Sequence, residues 1–209
     1  MGAEAVVFDI GNVLVKWRPL DFYAAEIGTG ARDRLFSEVD LDGMNAAVDL
    51  GRPLADAVAD LAARHPGWAR EIGWWESRWI EMFAPVIDGS VALLRLLRSR
   101  GVPVYALTNF GNETLAWAGR VHPFLHDFDR RFVSAELRMM KPDPAIYAHV
   151  EAETGIAPDG LLFADDRAEN VTAAAERGWR AHLFDGPDGW AARLVAEGVL
   201  TEEEAKACL

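Results

Sequence analysis

Three short apolar runs along the chain each stop at a polar group: Ala5-Val6-Val7-Phe8 before Asp9, Val102 to Leu107 before Thr108-Asn109, and Leu161 to Ala164 before Asp165-Asp166. Runs of this kind suit strands buried on both faces of a parallel sheet. Between and after them the pattern turns helical. Val91, Leu94 and Leu97 recur every third residue ahead of Gly101, and residues 145–154 and 168–177 read as helices that end near Gly155 and Gly178. Weaker strands are expected at 131–133 and 180–183. Strand alternating with helix predicts an α/β fold with a doubly wound, Rossmann-like parallel sheet.

Residues 17–85 break that alternation. They hold no convincing strand, only helix-like stretches near 21–27, 31–39, 54–64 and 69–82, separated at Gly28-Thr29-Gly30, Gly51-Arg52-Pro53 and His65-Pro66-Gly67. The expected organisation is a core of residues 1–16 and 86–209, with 17–85 inserted after the first strand as an α-helical cap. A length of 209 residues fits one domain with such an insertion. Folding at this size removes roughly 70% of the unfolded surface, enough for a core without disulfides or a structural metal.

Charge narrows the partners. The 33 acidic residues against 21 basic ones give −12, which opposes a phosphate backbone and excludes nucleic acid as an expected partner. One cysteine, Cys208, can form no intrachain bridge. With no secretory signal or long apolar run, the expectation is a cytoplasmic protein without membrane attachment, and Val6 stands where a myristoylation signal wants Ser or Thr.

Ligands of an open parallel sheet bind beyond the carboxyl ends of its strands, where helix N-termini and loop amides converge. Asp9, Thr108-Asn109 and Asp165-Asp166 all fall there, and Lys141, in Met140-Lys141-Pro142-Asp143-Pro144, precedes a helix that can bring it to the same crevice. Together these residues offer a nucleophile, hydroxyl and amide donors, a cation and carboxylates able to hold a metal.

In sequence order, V-V-F-D-I-G-N-V-L-V, L-T-N-F, M-K-P-D-P and F-A-D-D-R-A-E-N resemble the four motifs of the haloacid dehalogenase (HAD) superfamily of hydrolases. The resemblance covers about residues 3–15 and 86–185, and the insert resembles that family's C1 cap in its location. It implies that Asp9 attacks phosphorus to give a phosphoaspartyl intermediate, which water then hydrolyses; a carboxylate nucleophile divides one difficult displacement into two. It further implies a divalent cation, for which a hard all-oxygen site favours Mg2+. By the same resemblance Asp9, the backbone carbonyl of Gly11 and Asp166 are direct ligands, and Asp165 acts through a water. Thr108, the amide near Asn109 and Lys141 would bind phosphoryl oxygens, with Lys141 also paired to Asp9.

One position departs from the pattern. Phosphatases of the family commonly carry a second aspartate, the general acid and base, where this chain has Gly11. General acid-base help contributes about 10²- to 10⁴-fold. Its absence implies a substrate with a leaving group that needs little protonation, such as an anomeric or acyl phosphate, or a donor supplied by water or by the cap. The F-D-x-G-N-V form resembles a phosphatase subgroup that includes sugar 1-phosphate hydrolases. The same glycine keeps two rivals open: a metal-independent 2-haloacid dehalogenase using Asp9 on carbon, and a non-catalytic phosphate-binding or interaction protein. Adjacent Asp165 and Asp166 favour the phosphatase, because two anions beside Asp9 repel one another unless a cation joins them.

Other residues have plainer readings beside the functional ones. Asp166 also fits a helix cap, Asn170 either orients the metal's surroundings or faces solvent, and Arg18 and Arg167 lie near motif loops where they could hold an anion. Trp68, Trp74, Trp75 and Trp79 read as cap core, with Trp75 and Trp79 on one helical face. Substrate-reading residues are expected from this segment, since a lid both excludes water and meets the non-phosphate end. Thr201 with Glu204 forms a capping box for a terminal helix. The partner expected is a small phosphorylated molecule, and the chain is expected to be a monomer or homodimer.

Overall fold

The computed structural model describes residues 2–209. Strands β1 (Ala5–Phe8), β2 (Val15–Trp17), β3 (Phe83–Val86), β4 (Val104–Thr108), β5 (Arg130–Val133), β6 (Leu161–Asp165) and β7 (Arg180–Leu183) form two sheets. Five of them make the central sheet in the order β5-β4-β1-β6-β7, every neighbouring pair parallel. The three uninterrupted apolar runs are its middle strands β4, β1 and β6, buried throughout except at Tyr105. The two weaker runs are its edges, as their mixed composition implies.

Period-two alternation within β1 divides the core. Ala5 and Val7 face the helices Pro144–Thr154 and Ala168–Glu176 through Ile146, Tyr147, Val150 and Ala174. Val6 and Phe8 face the other way, onto Asp88–Ser99 and Pro187–Ala196, where Trp190 meets Phe8 edge to face at 5.6 Å. Helices thus cover both faces, as a doubly wound sheet requires. The expected capping box closes the chain: Glu204 N–H donates to Thr201 Oγ1 and Thr201 N–H to Glu204 Oε2.

Everything from Pro19 to Met82 is helix, 3-10 turn or connection, and it continues the hydrophobic core on the Val6 and Phe8 face. Tyr23, Leu35, Leu61, Ile72 and Trp75 are fully or almost fully buried there. Three details differ from the sequence expectation. First, the insert is not strand-free. β3 lies at its end and pairs antiparallel with β2, Trp17 opposite Phe83 and Val15 opposite Val86. A two-stranded ladder leaves outward-facing backbone positions that need no partner strand, so Pro85 is tolerated.

Second, the stretch 69–82 is two helices, Ala69–Ser77 and Trp79–Met82, because Arg78 leaves helical geometry (φ −130°, ψ 18°). Its guanidinium sits 4.6 Å from the Phe22 ring and bonds Glu26 and Glu81. Third, a helix at Leu41–Asp49 escapes the propensity reading because Gly43, Asn45 and three aspartates at 40, 42 and 49 are poor helix formers. Capping and packing hold it instead. Asp40 accepts from Gly43 N–H at 2.8 Å, an approach a Cβ at position 43 would block, and Leu41, Met44 and Val48 are buried. Among the described residues no helix is long and apolar enough to cross a membrane.

Candidate active site

The carboxyl ends of β1, β4 and β6 meet beneath the Leu41–Asp49 helix and enclose a cavity of about 450 Å³. Asp9 directly follows β1, and its N–H extends the ladder to Ala164 O at 2.9 Å, so the sheet fixes the backbone that carries it. Thr108 ends β4 and Asp165 ends β6. All the residues singled out by the motifs line this cavity except Asp165, which lies beneath it and is wholly buried.

Lys141 is the electrostatic centre. The residue is 2% exposed, and its ammonium lies 2.9 Å from Asp9 Oδ1 and 2.6 Å from Asp165 Oδ2. Burial alone would lower its pKa, but Asp165 and Asp9 reverse the sign and hold it above the ordinary lysine value. Asn109 places the lysine: its Nδ2 donates to Lys141 O at 2.9 Å and its Oδ1 accepts from Lys141 N–H at 2.8 Å. The Asn109 side chain is thus committed to the Lys141 backbone, which leaves only main-chain donors of that loop for an anion. Phe110 N–H is itself taken by Ser134 Oγ at 2.9 Å.

The two adjacent aspartates differ in their surroundings. Asp165 accepts from Lys141, from Arg167 N–H at 2.9 Å and from Asn170 Nδ2 at 2.9 Å, so its oxygens are occupied by protein. Arg167, not Asp166, is the N-cap residue of the following helix, no side chain caps that helix, and the N–H of Arg167 itself goes to Asp165. Asn170 is buried and orients Asp165, with Tyr147 Oη holding its own carbonyl at 3.0 Å. Asp166 is half-buried and accepts from Asn12 Nδ2 at 2.9 Å through Oδ2. Burial raises its pKa above the usual carboxylate value, with Asn12 opposing.

Ligand atoms of Asp9, Asp165 and Asp166 lie within 4.8 Å of one another. Three carboxylates against one ammonium leave excess negative charge in a site removed from water, and burial pushes Asp9 up to about 7 despite Lys141. Such a set of hard oxygen donors fits a divalent cation. With Asp165 saturated by Lys141, Asn170 and a backbone N–H, the oxygens best able to reach a cation are those of Asp9 and Asp166. Gly11 lies beside them on the cavity wall.

Two further residues belong to the site, Asn12 within the first motif and Asp49 outside all four. Asn12 sits at φ 56°, a left-handed conformation Asn tolerates better than most residues, and uses both ends of its amide, donating to Asp166 and accepting from Trp17 N–H at 3.0 Å. Asp49 ends the Leu41–Asp49 helix and is buried against the cavity, held by Asn45 Nδ2 at 2.9 Å. Its signal is positional: Asn45 and Asp49 continue the apolar stripe Leu41, Met44, Val48 at helical spacing, where polar residues do not belong without a task. Burial raises the Asp49 carboxyl to about 7, reinforced by Asp9 and opposed by Gly111 and Asn45. The cap also contributes Trp75 and Trp79 to the cavity wall, while Trp68 and Trp74 do not line it. Arg167 lines the cavity, whereas Arg18 pairs with Asp21 outside it.

Comparison with known proteins bears on the fold and the family. A sesquiterpene phosphatase of Aspergillus oryzae is 27% identical over 192 residues, 87% of this chain and 90% of that one. A phosphoserine phosphatase of Thermus thermophilus is 26% identical over 183 residues, 83% of this chain and 72% of its own. In fold, the chain is similar to a HAD-family enzyme of Bacteroides thetaiotaomicron, with a TM-score of 0.72 at 21% identity over 93% of this chain and 99% of that one. The complex of that enzyme with magnesium and inorganic phosphate matches with a TM-score of 0.66 at 22% identity, over 88% of this chain and 96% of that one. Residues 3–178 match the family described as haloacid dehalogenase-like hydrolase, so the chain belongs to that family of hydrolases.

Proposed function

We propose that this hydrolase is a magnesium-dependent phosphomonoesterase that cleaves a small organic phosphate through a phosphoaspartyl intermediate on Asp9. The observation that carries the reading is the buried Asp9–Lys141–Asp165 array with Asp166 beside it, opening on one cavity. A dehalogenase nucleophile needs no cation, whereas this cluster of carboxylates is costly without one. The phosphatase names of the two relatives support the same class.

Lys141 holds the Asp9 carboxylate in place and meets an incoming phosphoryl group with a positive charge. Thr108 supplies a hydroxyl donor from the end of β4. Asp9 attacks phosphorus, the bond to the leaving oxygen breaks, and water afterwards cleaves the acyl phosphate to regenerate the carboxylate. Asp9, Asp166 and the Gly11 carbonyl would hold Mg2+, which when bound neutralises phosphoryl charge and aligns the group for in-line displacement. On the cap side, Trp17, Trp75, Trp79 and Phe83 line the far wall and favour a substrate whose remainder presents an apolar face, as a terpenoid chain or one side of a sugar ring does.

The decisive experiment is a panel of phosphate esters and 2-haloacids assayed with and without magnesium. Metal-dependent phosphate release is expected; halide release indifferent to metal would establish the dehalogenase instead, and neither product would leave a binding protein.

A further inference from the structure

Expelling an alcohol from a phosphate ester requires a proton, and the core wall has none to spare. Asp9 is the attacking group, Asp166 is placed for the cation, and the Lys141 ammonium is held between two carboxylates. Arg167 is paired with Glu169, and Asp42 is exposed to solvent. Position 11 offers open space rather than a side chain: a Cβ built on Gly11 meets no atom within 4 Å.

We infer that Asp49, reaching into the cavity from the cap, is the general acid and base of the reaction, and this assignment rests on the phosphatase reading above. In the first step Asp9 Oδ bonds to phosphorus, the P–O bond to the alcohol breaks with its electron pair on oxygen, and the Asp49 carboxyl protonates that oxygen. In the second, Asp49 takes a proton from water as the water oxygen bonds to phosphorus. The bond from phosphorus to Asp9 then breaks, releasing phosphate, and Asp49 is protonated again.

The placement of Asp49 is built, not incidental. Trp75 Nε1 donates to Asn45 Oδ1 at 3.1 Å, which turns the Asn45 amide so that its NH2 faces Asp49 Oδ2 at 2.9 Å. From the core side, the loop after β4 comes up against the end of the helix because residue 111 is glycine; a Cβ there would lie 2.5 Å from Val48 Cγ1. The charged groups facing Asp49 are Asp9 from β1 and Lys141 from the loop before Pro142, and its neighbours on its own helix and on the β4 loop are Asn45 and Gly111. Burial and Asp9 favour its neutral form, the state a proton donor must start from.

The test compares wild type with Asp49→Asn in the presence of magnesium, using a simple alkyl phosphate and 4-nitrophenyl phosphate. The alkyl ester should slow by about 10²- to 10³-fold. Nitrophenolate leaves without protonation, so the first turnover of the aryl ester should stay within about fivefold of wild type and appear as a burst, followed by slow turnover for want of the base. Adding Gly11→Asp to Asp49→Asn should recover at least about tenfold on the alkyl ester, since a carboxyl re-enters from the open side. Equal loss of the first turnover on both esters would overturn the assignment.

If Asp49→Asn does not fold, wild type still decides. A solvent deuterium isotope effect on phosphorylation by the alkyl ester and none for the aryl ester supports Asp49, and its absence for both overturns it. Wild type that releases phosphate from neither ester would sink the phosphatase reading itself, an outcome distinct from failure at Asp49 alone.

Discussion

The cavity has two walls made by different means. On the core side, Asp9 and Thr108 line the cavity and Asp165 lies beneath it, all at the ends of neighbouring parallel strands whose backbones are part of a ladder buried on both faces. On the cap wall, Asn45, Asp49, Trp75 and Trp79 come from helical segments whose positions depend on side-chain packing against one face of the core. In the proposed reaction the groups that meet phosphorus are on the rigid wall. Those proposed to meet the leaving group and the rest of the substrate, Asp49 among them, are on the wall that sequence divergence can reshape, because a helix face tolerates repacking where a sheet register does not.

The comparison is tested most severely at Asp9. Asp9→Asn should abolish turnover by about 10⁴-fold or more, the scale on which loss of a covalent nucleophile is felt, while leaving the fold intact because the side chain is nearly isosteric. Phosphate release retained to within tenfold of wild type would move the nucleophile off the core wall. Next comes Lys141, the cation common to Asp9 and Asp165. Lys141→Met leaves two buried carboxylates without their partner and should destabilise the protein by about 3–5 kcal/mol, read as a lower midpoint in urea unfolding. A change below about 1 kcal/mol would mean that the pair is far better solvated than its burial implies.

The same contrast explains what the sequence discloses. Asp9, Thr108 and Asp165 are legible because each ends an unbroken apolar run, and topology brings such ends together however far apart they lie in the chain. Lys141 is legible through its motif, and the family resemblance also implies its pairing with Asp9, but nothing in Met140-Lys141-Pro142 foretells that Asp165 is its second partner or that Asn109 grips the lysine backbone from both sides. Asp49 is illegible for a different reason. Gly43 and Asn45 mask the helix that carries it, and a helix held by capping and tertiary packing leaves little trace in propensity.

A pH experiment sharpens the cap side. Asp49 titrates from an ordinary 3.8 when unfolded to about 7 when folded, so between those values the folded chain holds a proton that the unfolded chain has lost. This stabilisation is complete below the unfolded value and disappears as pH rises through the folded one. Metal-free wild type should therefore lose melting temperature from about pH 5 to about pH 8, and Asp49→Asn should lose about 5–10 °C less over that interval. Asp9 contributes in the same direction in both proteins, so the difference between them reads Asp49 together with its interaction with Asp9. Parallel curves would place Asp49 in solvent.

Asn109 tests how tightly the core wall is fixed. Asn109→Ala removes two hydrogen bonds to the Lys141 backbone and should cost about 1–2 kcal/mol of stability. The larger signature is kinetic: kcat should fall about tenfold, with KM changed less, because a displaced lysine misaligns Asp9. If KM rises and kcat holds, the Asn109 loop binds ground-state phosphate and does not position the nucleophile.

The smallest effect separates two arginines that look alike in sequence. Arg167 borders the cavity with its guanidinium paired to Glu169, and Arg18 pairs with Asp21 outside it; both side chains are at least half exposed. Surface pairs of this kind contribute about 0–1 kcal/mol, so neither Arg167→Ala nor Arg18→Ala should move the melting temperature appreciably. Arg167→Ala should still raise KM for an anionic substrate about two- to fivefold at low salt, an effect that added salt erases because the charge acts from the rim. Arg18→Ala should leave KM unchanged. Equal KM effects from both would show that the substrate senses the overall field of the chain rather than a particular edge of the cavity, and the division between its two walls would then stop short of the rim.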